Sequence, residues 1–348
     1  MRLKRVSIVF AILLASTSAV AGADQTGLRQ IGMVDIPGLP GFDSVALINK
    51  HLIISHQGAG ALDVFDPSRR RLVAKINGFG NTKGIAVNEA DGRLYVADEG
   101  NHQIAVVSVE NWQVISTIKL EHSPDSLLYI PEGKTLYAGS ANDRSLTLVR
   151  TESSQPMGSI ELDSRVAGLA YDALNKQVIV ALEDKSELVV LSAFSAQAAV
   201  LRHIRLAASQ PTVLLFDDAN RKIYVAVRYA ILAIDADSGN EVSRIPTAAG
   251  ANSLWLDGPS KMLYSVASDG TVDSIRVEGG RLVLDKELKT DVRGSGIAYD
   301  AERKLIYVPG GRQGRSKLVM LKQFGPPNQD DAAFKKIAPE AKGSSEHR

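Results

Sequence analysis

Asp43, Lys83 and Asp125 stand 40 and 42 residues apart. Each sits one place ahead of a short apolar run: "SVALIN", "GIAVNE" and "SLLYIP". A carboxylate, an ammonium and a second carboxylate at matching places admit two readings. They can lock neighbouring strands as a charge triad, or they can face a ligand. The same place in later units holds Ala167, Pro211, Asn252 and Ser295. A second set of polar residues follows the second apolar run of each unit and includes His56, Glu99, Asp143, Glu183, Asp184, Arg228, Arg312 and Arg315. The candidate ligand-binding residues drawn from both sets are Asp43, His56, Lys83, Glu99, Asp125, Arg228, Asn252, Arg312 and Arg315. Paired carboxylates could hold a divalent cation, but Lys83 between them would compete for the same oxygens. His56 with Glu99 or His102 could suggest a transition-metal site, although loop histidines more often face solvent. No GxSxG elbow, HExxH pair or phosphate-binding loop is present, so no catalytic set is assembled. No cofactor is expected. Trp112 and Trp255 fall in or near strands and read as packing residues rather than a stacking platform.

The elements that must position these residues repeat. Aligned on Ser44, Gly84, Ser126, Gly168, Thr212, Ser253 and Gly296, the units are spaced 40, 42, 42, 44, 41 and 43 residues apart, a mean of 42. Each unit has a first apolar run, a polar turn such as "NEADGR" or "DAERK", and a second run such as "LYVAD" or "IYVPG". A variable loop and two further runs complete it. The runs are short, rich in β-branched residues and bounded by Gly, Asp, Asn and Pro, which reads as strands. A period of 40 to 50 with several strands per unit points to a propeller. The fold class expected is therefore all-β, a seven-bladed β-propeller of four-stranded antiparallel blades. The last unit has three strands, and "LRQIGMVDI", residues 28–36, precedes the first unit as an unmatched fourth. Pairing it onto the last unit would close the ring and remove a free edge.

"MRLKR" followed by "VSIVFAILLASTSAV" and Ala19-Val20-Ala21 is the pattern of a signal peptide over residues 1–21. A short linker over 22–27 then leads to the propeller over 28–324. The chain ends in "GPPNQDDAAFKKIAPEAKGSSEHR", residues 325–348, expected to be a disordered tail. Removing residues 1–21 takes away Arg2, Lys4 and Arg5, and the formal charge falls from +1 to −2. A balance so near zero argues against a general nucleic-acid or membrane binder. The location expected is periplasmic or secreted, with no membrane span after cleavage. No cysteine is present, so the core must hold the fold without disulfides.

The run "LYVAD" preceded by "GIAV" resembles the YVTN-type bacterial secreted seven-bladed propellers, and "GIAVNEADGRLYVADEGNHQIAVV" looks like an NHL repeat. The resemblance covers residues 28 to about 324. It implies the fold, and it leaves function open, because such propellers include binding proteins as well as lactonases and lyases. The leading expectation is a non-enzymatic scaffold of the envelope that binds a protein or small ligand through its loop face. The alternative is a lactonase-like hydrolase or lyase with a divalent metal at the channel mouth. The loop face is further expected to be electrically split. Glu99, Asp125, Asp143, Glu183 and Asp184 would lie on one arc, with Arg228, Arg293, Arg312 and Arg315 opposite.

Overall fold

The second run of every unit is buried on both sides. Leu94, Val96 and Ala97 are wholly inaccessible, as are Ile223, Val225 and Ala226. A strand covered on both faces reads as a continuous apolar run, not an alternating one. The inner strands of blades 2 and 4, Thr82–Asn88 and Val166–Asp172, instead alternate strictly. The outer strands are mostly exposed, as in Gln113–Lys119. Burial thus grades from the second and third strands outward, as stacked sheets require.

The computed structural model describes residues 26–197 and 199–325. The signal peptide expected over 1–21, most of the linker and nearly all of the tail lie outside the described residues. Among those described, no helix is long and apolar enough to cross a membrane. Gly27–Gln323 form one compact unit. It is a seven-bladed β-propeller with four antiparallel strands to a blade. Blade 1 runs Val45–Ile48, His51–His56, Ala61–Asp66 and Arg71–Asn77, and blades 2 to 6 repeat that order from the inside outward. Blade 7 takes Leu305–Arg312 and Arg315–Phe324 as its middle strands. Its inner strand is broken into Arg293–Gly294 and Ala298–Asp300. Its outer strand is Gly27–Ile36, paired beside Arg315–Phe324. The ring closes through the N-terminal strand, as the strand count required.

Seven hydrophobic clusters hold the described residues together, and each joins two adjacent blades. One tyrosine recurs at the third place of the second strand. Tyr95, Tyr137, Tyr224, Tyr264 and Tyr307 are all 1% exposed or less. Each fills a layer between blades with a large apolar ring. The small residue that opens an inner strand has a different cause. A Cβ on Gly84 would stand 2.8 Å from the Asp125 carbonyl oxygen and 2.9 Å from the Leu127 nitrogen. Inner strands of neighbouring blades approach too closely there for a side chain. The ladder register corrects one expected alignment. Val213 opposes Ala226 as Gly168 opposes Ala181. Blade 5 therefore begins at Val213, and Thr212, not Pro211, takes the place equivalent to Asp43.

Polar staples tie the opposite end of the blades. Asp172 accepts two bonds from the Arg221 guanidinium of blade 5, at 2.7 and 2.8 Å. Arg303 of blade 7 donates to Ser68 Oγ of blade 1 at 2.7 Å.

Closure predicts a cooperative dependence on the first strand. Leu28 is wholly buried in the layer between blades 6 and 7. Leu28→Ala is expected to lower unfolding free energy by about 2–5 kcal/mol. Removal of residues 22–36 is expected to destabilise every blade in a single transition. Denaturant melts followed by far-ultraviolet and tyrosine signals check both.

Candidate functional site

The connections from each outer strand to the next inner strand, and those between second and third strands, share one face. At its centre a cavity of about 500 Å³ opens into the channel. Asp43, Lys83, Asp125, Ala167, Thr212, Asn252 and Ser295 all line it, together with Glu183. One residue from each blade therefore meets at the mouth. Backbone and hydroxyl bonds fix the positions. Asp43 N donates to the Ser55 carbonyl at 3.2 Å, and Gly84 N to the Asp125 carbonyl at 2.8 Å. Ser55 Oγ donates to the Lys83 carbonyl, and Ser295 Oγ to the Asp43 carbonyl.

Lys83 Nζ stands 3.7 Å from Asp43 Oδ2 and 3.9 Å from Asp125 Oδ1. These are ion pairs, too long for hydrogen bonds. All three side chains keep contact with the cavity, at 20 to 30% exposure. The cluster is thus a loose charge set that still presents its heads to the channel. Burial raises the Asp43 carboxyl above the ordinary range even though Lys83 pulls it down. Burial also pushes Asp125 up to about 6, against Lys83 and with help from Asp43, Glu99 and Glu183. Burial works against the Lys83 ammonium, but Asp125, Asp43 and Glu99 together raise it. Lys83 lies between the two aspartates, in the place a metal would need. Among the described residues no three His, Cys, Asp or Glu side chains gather as a metal-holding group.

The other sequence candidates separate. His56 does not reach the face: it is wholly buried. Its Nδ1 is 2.6 Å from Asp63 Oδ2, and its Nε2 donates to the Leu39 carbonyl at 2.8 Å. Lys75 Nζ donates to Asp63 Oδ1 at 2.7 Å and to the Pro37 carbonyl at 3.3 Å. Ser316 Oγ of blade 7 donates to the Gly38 carbonyl at 2.9 Å. His56 also stacks on Phe42. It is the centre of a latch holding residues 37–42, the bridge from the closing strand into blade 1. A sequence pattern that puts His56 at a strand end does not show Asp63 and Lys75 beneath it. Glu99 accepts from Asn81 and, at 2.8 Å, from Asn142, which ties the loops of blades 2 and 3. Arg228 lies over the ring of Tyr229, its guanidinium carbon 5.3 Å from the centroid.

Arg312 and Arg315 face each other across the last hairpin of blade 7, with Arg312 paired opposite Arg315 in the ladder. Arg312 also lines a second cavity of about 870 Å³ between blades 6, 7 and 1, which shares Asn252 and Ser295 with the channel mouth. This cavity was not visible in the sequence. It forms from residues 40–42, 290–295 and 311–314, which are far apart in the chain.

The expected separation of acids from arginines is not what the face shows. Arg165 pairs with Glu183 at 2.9 Å and Asp184 at 3.0 Å, inside the acidic arc. Lys185 pairs with Asp163 there. On the other side Lys289 pairs with Asp269, and Arg312 with Asp291 at 3.5 Å. Opposite charges on successive loops neutralise one another locally because each loop packs against the next. Arg228 and Arg293 are what remains of the arginine excess, since Arg315 acts on Asp35 of the closing strand.

The model of the NHL repeat matches residues 82–107, nearly all of the first three strands of blade 2. With seven blades in the ring, this supports a propeller of the NHL type. No curated protein matches the chain in sequence. Chains of solved structures that match number 1650, so the fold is common and does not select a role. One of them, titled "Crystal Structure of Mitotic Checkpoint Complex", superposes with a TM-score of 0.73 at 13% identity, over 92% of this chain and 99% of that one. Identity that low carries the fold alone.

Asp125 generates a signed prediction. Its folded carboxyl binds a proton more tightly than the unfolded chain's carboxyl, whose value lies near 4. Stability from this group is therefore fully present below about pH 4 and is lost as pH rises through about 6. Asp125→Asn is expected to stabilise the fold by on the order of 1–2 kcal/mol at pH 7.5 and to leave it nearly unchanged at pH 4. Urea melts at the two pH values check this.

Proposed function

We propose that the protein is a binding scaffold of the cell envelope that seats a partner on the face carrying the channel mouth. The observation that carries this reading is the state of the charges there. Asp43, Lys83 and Asp125 are held in place by backbone bonds, yet their heads are only loosely paired and remain open to the cavity. Burial disfavours both carboxylates, so the arrangement works against stability, which is the mark of a site kept for something else. The opposite face spends its charges on staples such as Arg221 on Asp172.

The repeat type supports a binding role, since a ring of blades offers a rigid platform and variable loops. The envelope location rests on the signal-peptide pattern of residues 1–21. The solved neighbour is named as part of a complex, which agrees with a propeller used for assembly. Residues without a role in the staples or the layers, such as Tyr229 at 58% exposure, supply contact area to a partner.

The test is site-specific photo-crosslinking in envelope extract. A crosslinker replacing Tyr229 on the loop face is expected to give a discrete adduct that excess unmodified protein suppresses. One replacing Leu174, which is 74% exposed on the opposite face, is expected to give none. An adduct only from position 174 would move the binding surface to the other face.

A further inference from the structure

A pocket of about 250 Å³ opens between blades 5 and 6, beside the turns that link inner and second strands, on the face opposite the channel mouth. Leu215, Phe216, Asp217 and Asp218 of blade 5 line it, with Trp255 and Leu256 of blade 6. Trp255 is out of scale with its position. The residue opposite the recurring tyrosine of the second strand is Ala86 in blade 2, Leu128 in blade 3, Leu215 in blade 5 and Ala298 in blade 7. In blade 6 it is Trp255, opposite Tyr264. Alanine or leucine is enough to complete a layer there, so packing does not call for an indole. The layer does not absorb the ring either. Trp255 remains 39% exposed, with Tyr299 against it at 6.4 Å. The expectation that Trp255 serves packing alone is corrected here. Among the described residues no cation lies over its ring.

The charged residues of the lining are both acids. Asp217 is already engaged. Asn220 donates to its two oxygens, from N at 3.1 Å and from Nδ2 at 2.8 Å, and Tyr224 Oη adds a third bond at 3.2 Å. Asp218 differs. It is exposed and accepts from the Ala173 backbone N–H, and among the described residues it makes no ion pair. Partial shielding from solvent and the nearby Asp172 raise its carboxyl above the ordinary range, against the pull of Arg221. Arg221 itself is committed elsewhere. It donates twice to Asp172, at 2.7 and 2.8 Å, once to Asp237 at 2.7 Å, and lies over the Phe216 ring.

An acidic lining beside an open indole face favours a cation. The kind of cation follows from the acceptors. A primary ammonium or a guanidinium brings several N–H donors. Inside this pocket they would find Asp218 free, Asp217 taken, and otherwise the apolar walls of Leu215, Phe216 and Leu256. Donors left unmet in such a setting cost free energy. A quaternary ammonium has no N–H to satisfy, and its methyl groups suit aromatic and aliphatic walls. The volume is below that of pockets for whole drug-sized ligands and suits a small head group.

We propose that the pocket between blades 5 and 6 binds a quaternary ammonium group, with Trp255 across its methyl groups and Asp218 as its counter-ion. This site is separate from the partner-binding face and does not depend on it.

The chain has two tryptophans, so Trp112→Phe leaves Trp255 as the only indole reporter. Trp112 packs against the layer between blades 1 and 2, away from this pocket. Choline chloride is titrated into that protein, with sodium chloride at matched ionic strength as the control. A saturable change in Trp255 emission is expected with choline. The neutral isostere, in which carbon replaces the ammonium nitrogen, is expected to bind at least about fivefold more weakly, and Asp218→Asn is expected to weaken choline by a similar factor. Asparagine keeps the acceptor for the Ala173 N–H, and a thermal melt matching the parent protein would show that the variant folds. Saturation-transfer NMR on the choline methyl protons gives a second readout, expected to vanish in Trp255→Leu. Phosphatidylcholine vesicles form a separate arm. A response to choline alone would assign the site to a soluble ligand, and a response to both would assign it to a lipid head group. Absence of a saturable choline response would overturn the proposal. Equal binding of the neutral isostere would overturn the cation assignment, and tighter binding of methylguanidinium would overturn the quaternary one. Choline affinity unchanged by Asp218→Asn, or a methyl signal that survives Trp255→Leu in folded protein, would move the site away from this pocket.

Discussion

The whole structure depends on closure of the ring. A single blade cannot bury its faces, and each of the seven apolar layers lies between two blades. Six of those layers join units that follow one another in the chain. The seventh, between blades 7 and 1, joins residues such as Leu52 and Tyr307 across the full length of the domain. It can form only if the termini meet, so Gly27–Ile36 must find Arg315–Phe324. The loop-closure entropy of that step is offset by main-chain bonds and by a complete layer of buried side chains.

The latch around His56 guards the same junction. Its two ring nitrogens face a carboxylate and a carbonyl, so the imidazole is held from both sides. Lys75, Ser316 and Phe42 converge on the same six-residue bridge. A buried charged network stands or falls together, because removing one member leaves the others unpaired in an apolar setting. Placing it at the seam between first and last blades gives the ring a specific register there. Other interfaces carry smaller polar ties, such as Asp172 with Arg221 between blades 4 and 5.

Legibility followed from how local the cause is. The 42-residue period, the strand grammar and the missing fourth strand were readable because burial and hydrogen bonding act on runs of adjacent residues. The mouth residues were readable for the same reason. One place ahead of each inner strand is a fixed geometric position, and only blade 5 slipped, by one residue, because Thr212 and Val213 both suit a strand start. What was hidden depends on contacts between distant segments. His56 looked like a loop ligand because Asp63 and Leu39 are 7 and 17 residues away in sequence. The separation of charge on the face failed likewise, since Arg165 and Glu183 meet across two loops.

Layers and face therefore obey different rules. A layer needs only apolar side chains of suitable volume at the right register, which is why a chain sharing 13% identity can superpose over 92% of this one. Nothing in a layer fixes what is bound. The face is free of that demand, and its residues can be arranged at some cost to stability without opening the ring. Asp125 illustrates the cost, held in a setting that raises its carboxyl to about 6. Arg312 and Arg315 illustrate it again, opposed on one hairpin. Strain of this kind is tolerable because the layers behind it are closed, and it accumulates at blades 7, 1 and 3 around the mouth. The physical logic of the ring is thus a division of labour: closure supplies the stability, and the channel mouth uses part of it to hold Asp43, Lys83 and Asp125 in loose pairs at 3.7 and 3.9 Å.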